Sequence, residues 1–287
     1  MTAPKLASYY SEKDDDGRAY CHPFKRGPNG EKLWVPSITT VLKNESKDSL
    51  IQWAADRAVE WCVQNAYALL RTDEEGGIRR ARYRWRDFRS ERAEVGTGIH
   101  ETIEQEHTGG WDYPALDAEQ VQIMQRWREF NEAYEVEPVL TEVTVWNFTH
   151  EYAGTADGLW YVTDRLTGER WLTWIDLKTS KNTWPAHWMQ GAAIVNAEVL
   201  LIDGMPEVLK PSEPGVWPEG MWTEQPMPDT VKFAVVHLRA DKWNFLEAED
   251  LDLYFQEFLC YRGVHAAKEA RKKRVKDREA DLLGGAF

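Results

Sequence analysis

Apolar positions recur at helical spacing from Ser37 to Tyr134 and then begin to alternate, so the chain reads as helices followed by strands. Ser37 is placed to cap a short helix through Lys43, and Ser49 to start a longer one through Leu70, rich in Trp, Ala and Leu. A break at Thr72 to Gly77 leads into an arginine-dense segment, Gly77 to Arg92. Gly96 to Glu106 follows it, and Gly109 and Gly110 end the run. Asp117 to Tyr134 is the next predicted helix.

The period then falls to that of a strand. Leu140, Glu142, Thr144 and Trp146 alternate with Thr141, Val143 and Val145, and similar alternation continues through Tyr152 to Val162. Thr163 to Glu169, with Gly168, reads as a turn. Trp171 to Lys178 reads as a third strand, which predicts an antiparallel meander. Trp184 to Leu201 is expected to be helical. The Pro- and Gly-rich stretch Asp203 to Asp229 is expected to be a surface loop near a substrate, leading to a fourth strand at Val231 to Leu238. A long helix from Trp243 to Lys276, apolar at first and then strongly charged, closes the chain. The order helix, strand, strand, strand, helix, strand over Gly96 to Leu238 predicts an α/β fold around a small mixed sheet, flanked by helices. The expected organisation is one domain: an N-terminal helical region over 1–95, a core over 96–240 and a C-terminal helix over 241–287.

Composition narrows the setting. A chain of 287 residues, 43% apolar, can bury a substantial core and fits one elaborated domain. No stretch approaches the roughly 20 apolar residues of a membrane helix, and Met1 to Gly30 lacks the apolar block of a signal peptide. The expectation is a cytoplasmic protein with no membrane partner. Cys21, Cys62 and Cys260 form no Cys-x-x-Cys pair and are expected to be free thiols.

The net charge of −13 argues against a nucleic-acid partner, because a polyanion favours basic surfaces. The local distribution reverses that argument. Gly77 to Arg92 holds seven arginines against only Asp87 and Glu91. On a helix, Arg79, Arg82, Arg86 and Arg89 share one face and could follow a DNA backbone, although a solvated helix face would look the same. Among the 15 tryptophans, Trp53, Trp61 and Trp174 fall on apolar faces and are read as core, and none is assigned to DNA.

Asp176-Leu177-Lys178 ends the third predicted strand, where a period of two puts Asp176 and Lys178 on one face and lets Leu177 enter the core. Such a triplet alone is an ordinary surface pair. Gly154-Thr155-Ala156-Asp157-Gly158 changes its meaning, because neighbouring antiparallel strands would bring Asp157 and Asp176 together. Two close carboxylates need a cation, and magnesium or manganese prefers such oxygen ligands. Otherwise Asp157 is a turn residue beside Gly158. His100, after Gly96-Thr97-Gly98-Ile99, is a reasonable further ligand, and Glu142 on the first strand is a further acidic group near the metals.

The series Gly96-Thr97-x-x-His100, Gly154-x-x-Asp157-Gly158, Asp176-x-Lys178 and Gln190 resembles, in order, the motifs of RecB-like nucleases of the PD-(D/E)XK group. That family includes the RecB nuclease domain, CRISPR-associated exonucleases and phage recombination exonucleases. Ser37-Ile38-Thr39-Thr40 also resembles a serine-containing segment upstream in many members. The resemblance covers about Gly96 to Leu238 and implies an αβββαβ core. His100, Asp157, Asp176 and the main-chain carbonyl of Leu177 would bind one or two Mg2+ or Mn2+ ions. Lys178 would orient the attacking water, and Gln190 would help hold substrate and lysine.

Two departures limit the match. The family's Gln-x-x-x-Tyr becomes Gln190 to Ile194, leaving Trp188 or His187 as substitutes for the missing aromatic, and no cysteine set for an iron-sulfur cluster is present. The resemblance implies a metal-dependent DNA exonuclease acting in phage or bacterial recombination or repair, with DNA and a recombination protein as partners. The alternative expectation is a non-catalytic DNA-binding protein or an acidic DNA mimic on the same fold.

Overall fold

The computed structural model of the chain describes residues 11–13, 17–45, 48–66, 74–109, 115–203, 222–229 and 232–284. Strands β1 (Ser11–Lys13), β2 (Arg18–Arg26) and β3 (Lys32–Pro36) come first, followed by helices α1 (Ile38–Leu42), α2 (Asp48–Gln64), α3 (Glu74–Thr108) and α4 (Ala118–Ala133). The meander β4 (Tyr134–Asn147), β5 (Tyr152–Asp164) and β6 (Arg170–Lys178) leads to α5 (Pro185–Val195). Then come β7 (Val199–Asp203), β8 (Trp222–Pro226), β9 (Lys232–Leu238), β10 (Trp243–Glu247) and α6 (Leu251–Gly284).

The fold is α/β around a mixed seven-stranded sheet in the order β10-β9-β6-β5-β4-β7-β8. Neighbours are antiparallel except β6 and β9, whose parallel pairing sets Asp176 beside Val235 and Lys178 beside His237. Both faces of the central strands are apolar. Trp174, Phe233 and Val235 feed one cluster, whereas Ile175, Leu177, Ala234 and Val236 feed another. Such strands need helices on both sides. Val41 of α1, Met189 of α5 and Phe258 of α6 cover the first face, while Ile99 and Ile103 of α3 and Trp127 and Phe130 of α4 cover the second.

Local chemistry fixes several boundaries. Ser37 caps α1, accepting from the Thr40 amide as expected, and Asp117 with Gln120 forms a capping box at the start of α4. Pro185 opens α5 with a φ already suited to a helix. Gly191 lets α5 lie directly on the sheet, since a side chain there would strike the Phe233 ring.

Four expectations need correction. Residues 11–36 contain a three-stranded antiparallel sheet within what the pattern reads as a helical region. The arginine segment and Gly96 to Glu106 belong to one helix, α3, which Gly96 and Gly98 do not interrupt. The helix expected through Leu201 stops at Val195, with Asn196 as its C-cap, and Val199–Asp203 pairs with β4 and β8. Trp243–Glu247 is a strand hairpinned onto β9 before the last helix begins. The residues 67–73, 110, 204–221 and 231 on which other expected boundaries fall lie outside the described residues. Among the described residues no helix is long and apolar enough to cross a membrane.

Candidate metal centre

The expected juxtaposition of Asp157 and Asp176 follows from register. The ladder of β5 with β6 ends at the pair Gly158 and Ile175, and one step further along the same register stands Asp157 opposite Asp176. Instead of continuing the ladder, the Asp157 carboxylate accepts the Leu177 amide at 2.9 Å. This bond fixes the side chain at the mouth of the two strands.

On the other side of Asp157, the pairs Thr141 with Gly158 and Val143 with Ala156 set Glu142 across from it. Glu142 has φ of 49°, a left-handed conformation that costs a non-glycine residue energy. The pleat is broken here: Leu140 and Val143 both pack on the same core cluster although an odd number of positions separates them, as do Ala156 and Leu159. One ligand atom each from His100, Glu142 and Asp157 consequently lies within 4.8 Å of the others.

His100 is delivered from α3. That helix is seated by Gln120, whose side-chain amide donates to the Val95 carbonyl at 3.3 Å and occupies the space a side chain at position 98 would need. The imidazole Nε2 lies 3.0 Å from the Leu177 carbonyl, and Nδ1 lies 3.7 Å from the Asp157 carboxylate. A carbonyl only accepts, so Nε2 is the donor in this contact and Nδ1 is the ring nitrogen turned toward Asp157. An imidazole nitrogen and a carboxylate oxygen facing each other, with Glu142 close by, form a donor set suited to a cation. One imidazole nitrogen with carboxylate oxygens fits manganese or magnesium. A cleft of about 350 Å³ lined by Gly96, Thr97, His100, Glu101, Glu104 and Glu142 opens onto these groups.

Asp176 is 1% exposed and stands outside this trio. Both its oxygens lie 2.6 Å from the Lys178 ammonium, and Gln190 donates to it at 3.3 Å. Burial pushes the Asp176 carboxyl up to about 6 against the opposing pull of Lys178, and Asp157 pushes the same way as burial. Burial pulls Lys178 down, but the carboxylates of Asp176 and Asp157 more than offset it and hold the lysine above its ordinary value. Lys178 is therefore a cation, locked against Asp176. His187 lies at the same end. Burial first, then Lys178 and His237, lower it to about 3, which leaves it neutral.

The sequence-predicted residues thus separate into two adjoining sets, His100 with Asp157 and Asp176 with Lys178 and Gln190, joined through Leu177. The Leu177 carbonyl is taken up by His100. Trp188 packs on Phe233, and His187 remains beside Lys178. Arg79, Arg82, Arg86 and Arg89 are all exposed along α3 and have no carboxylate partner among the described residues, unlike Arg84, which pairs with Asp87 and Glu91. Trp174 is core, but Trp53 and Trp61 are only half-buried. Glu101 and Glu104 carried no signal beyond their nearness to His100 in the chain. No family model matches this sequence, and no curated protein matches it.

Proposed function

We propose that this chain is a divalent-metal-dependent deoxyribonuclease of the PD-(D/E)XK, RecB-like kind, acting on DNA ends in recombination or repair. The observation that carries the reading is the meeting of His100, Glu142 and Asp157 within 4.8 Å at the end of the strand that also bears Asp176 and Lys178. The elements α3, β4, β5, β6, α5 and β9, with α4 inserted after the first helix and β7 and β8 before the last strand, are compatible with the αβββαβ order of the family the motifs resemble. The preference for ends rests on that resemblance.

His100, Glu142 and Asp157 would hold the ion, with Asp176 and the Leu177 carbonyl adjoining. A bound divalent ion supplies a lowered pKa for water and polarisation of the phosphoryl oxygen. Lys178 then has two tasks. Its ammonium orients the attacking water by hydrogen bonding, and its charge opposes the negative charge that grows on the phosphate in the transition state. Asp176 keeps that ammonium charged and in place, and Gln190 restrains Asp176. Asp157 binds through one oxygen to the Leu177 amide, so the carboxylate is oriented before any ligand arrives.

The test is the fate of end-labelled linear and closed circular DNA in Mn2+, Mg2+ or chelator, comparing wild type with Lys178→Ala. Consumption of linear DNA alone, only with metal, and its loss in a Lys178→Ala variant that still binds DNA is the expected outcome. A wild-type protein that leaves every substrate intact under all metals is not a nuclease, and the arginine face would then serve DNA binding alone.

A further inference from the structure

A larger depression adjoins the metal centre. It is a groove of about 1090 Å³ between α1, α2 and α3 on one side and the β6–α5 segment with the start of α5 on the other. Trp53 of α2 and Trp184, just before α5, stand in its walls. Trp184 is 42% exposed and Trp53 is half-buried. Neither ring packs against another ring among the described residues, whereas Trp127, Trp146 and Trp160 in the core all do. Both indoles line the groove, Trp184 as the more exposed of the two.

Cations are interleaved with them. Arg57 is held in the wall by Glu60 and by the Phe88 ring, with its guanidinium 5.7 Å from the ring centroid, and Arg92 is held by Glu119. Arg89 and Lys181 also line the groove and have no carboxylate partner among the described residues. Arg89 belongs as well to the exposed arginine face of α3, so the two basic features meet there. The groove also reaches the chemistry. Thr179, next in the chain to Lys178, lines it, and so does Gln190, which is bonded to Asp176.

We infer that this groove takes a single strand of DNA, with bases laid on Trp53 and Trp184 and phosphates on Arg89 and Lys181, and delivers it to Asp176 and Lys178. The inference rests on the nuclease reading for its direction but not for its binding chemistry. A duplex keeps its bases stacked on one another and offers a groove only phosphates and base edges. Indoles that line a groove between cations can stack on bases only when the bases are unstacked, and every base has a face to offer, so the contact tolerates any sequence.

The test is fluorescence anisotropy in chelator, where no cleavage interferes, using labelled oligothymidylate, an abasic oligomer of equal length and a blunt duplex. Oligothymidylate should bind more tightly than the abasic strand by roughly five- to 150-fold for each base that stacks. Trp184→Ala and Trp53→Ala should each remove that advantage in part, leaving abasic binding unchanged, and Trp184→Phe and Trp53→Phe should restore most of it. Equal affinity for the abasic and base-bearing strands overturns the inference, as does an alanine variant that weakens both alike. A protein that binds in the expected pattern yet cuts nothing keeps the groove and loses the nuclease. One that cuts duplex DNA while its binding ignores bases does the reverse.

Discussion

Two histidine–carboxylate pairs in this protein have nearly the same composition and opposite meanings. His22 lies 3.0 Å from Glu224 where β2 meets β8, and His100 lies 3.7 Å from Asp157 at the mouth of β5 and β6. The His22 side chain is fully buried, ringed by Phe24, Trp146 and Phe148, and its Nδ1 accepts from the Lys25 amide. His100 is 30% exposed beside a cleft. The decisive difference is the third neighbour. Glu224 is already matched by the Lys25 ammonium at 2.8 Å, whereas Asp157 faces another carboxylate, Glu142. The first site is closed by its own cation in the protein interior, whereas the second gathers an imidazole and two carboxylates beside a cleft, so a histidine beside an acid points to a metal when a second carboxylate joins the pair within reach of solvent.

The largest effect that follows is on activity. Asp157→Asn keeps an acceptor for the Leu177 amide but removes one negative charge from the trio, and should lower the rate of nucleotide release from labelled linear DNA by roughly 100- to 1,000-fold. Glu224→Gln should leave that rate within about twofold, since it touches only a closed pair. Equal losses in the two variants would erase the distinction.

Stability should respond the other way round. His22→Ala deletes a buried ring from three aromatic contacts and strands the Lys25 amide, which should cost about 3 kcal/mol in urea denaturation, against less than about 1 kcal/mol for His100→Ala. Acid sharpens this contrast. Burial, then Lys25 and Arg26, lower His22 to about 3, so the folded protein keeps it neutral while the unfolded chain protonates it near its ordinary 6.5. The contribution is complete above 6.5 and is lost as pH falls from 6.5 toward about 3, because the unfolded state there binds the extra proton. In His22→Ala the acid sensitivity that begins near 6.5 should become shallower without disappearing, because burial holds His107 and His187 below 6.5 as well, as read from denaturation midpoints across that window. A midpoint profile identical to wild type would show that His22 is not held neutral.

Metal binding provides a smaller, directly thermal comparison. Mn2+ at a hundred times its dissociation constant should stabilise the fold by about 2.7 kcal/mol, read as an upward shift in Tm. The shift should persist in Glu224→Gln and vanish in Asp157→Asn. A shift surviving in Asp157→Asn would place the ion elsewhere.

Only the metal-centre side of this contrast is legible in the sequence, where nothing marks His22 or Glu224, and the limits have physical causes. The meander could be read because Trp171 to Lys178 and its neighbours alternate, and the meeting of Asp157 with Asp176 follows from spacing across one antiparallel turn. The role of Glu142 was only half legible: its acidity could be seen, but the backbone break that sets it beside His100 is a cross-strand effect that strict alternation cannot express. Val199–Asp203 and Trp243–Glu247 are apolar runs too short to separate helix from strand, and pairing with β4 and β9 decided them. The groove had no local signal, since Trp53, Arg89 and Trp184 come from three segments that only the fold brings together.

The smallest expected effect concerns Arg89, and it asks whether the comparison extends from the metal centre to the surface around it. An unpaired cation on a nucleic-acid path releases counterions when phosphate replaces them, whereas a cation already bound to a carboxylate has few to release. Arg89→Ala should therefore reduce the slope of log affinity for oligothymidylate against log salt by about 0.7, the value for one phosphate on a single strand. Lys25, paired with Glu224 and lying 3.7 Å over the Phe148 ring, is its counterpart at the closed site, and Lys25→Ala should leave the slope unchanged. Because slope counts phosphates and is indifferent to overall affinity, a general loss of folding cannot imitate the result. An unchanged slope in Arg89→Ala would move the strand's path off α3.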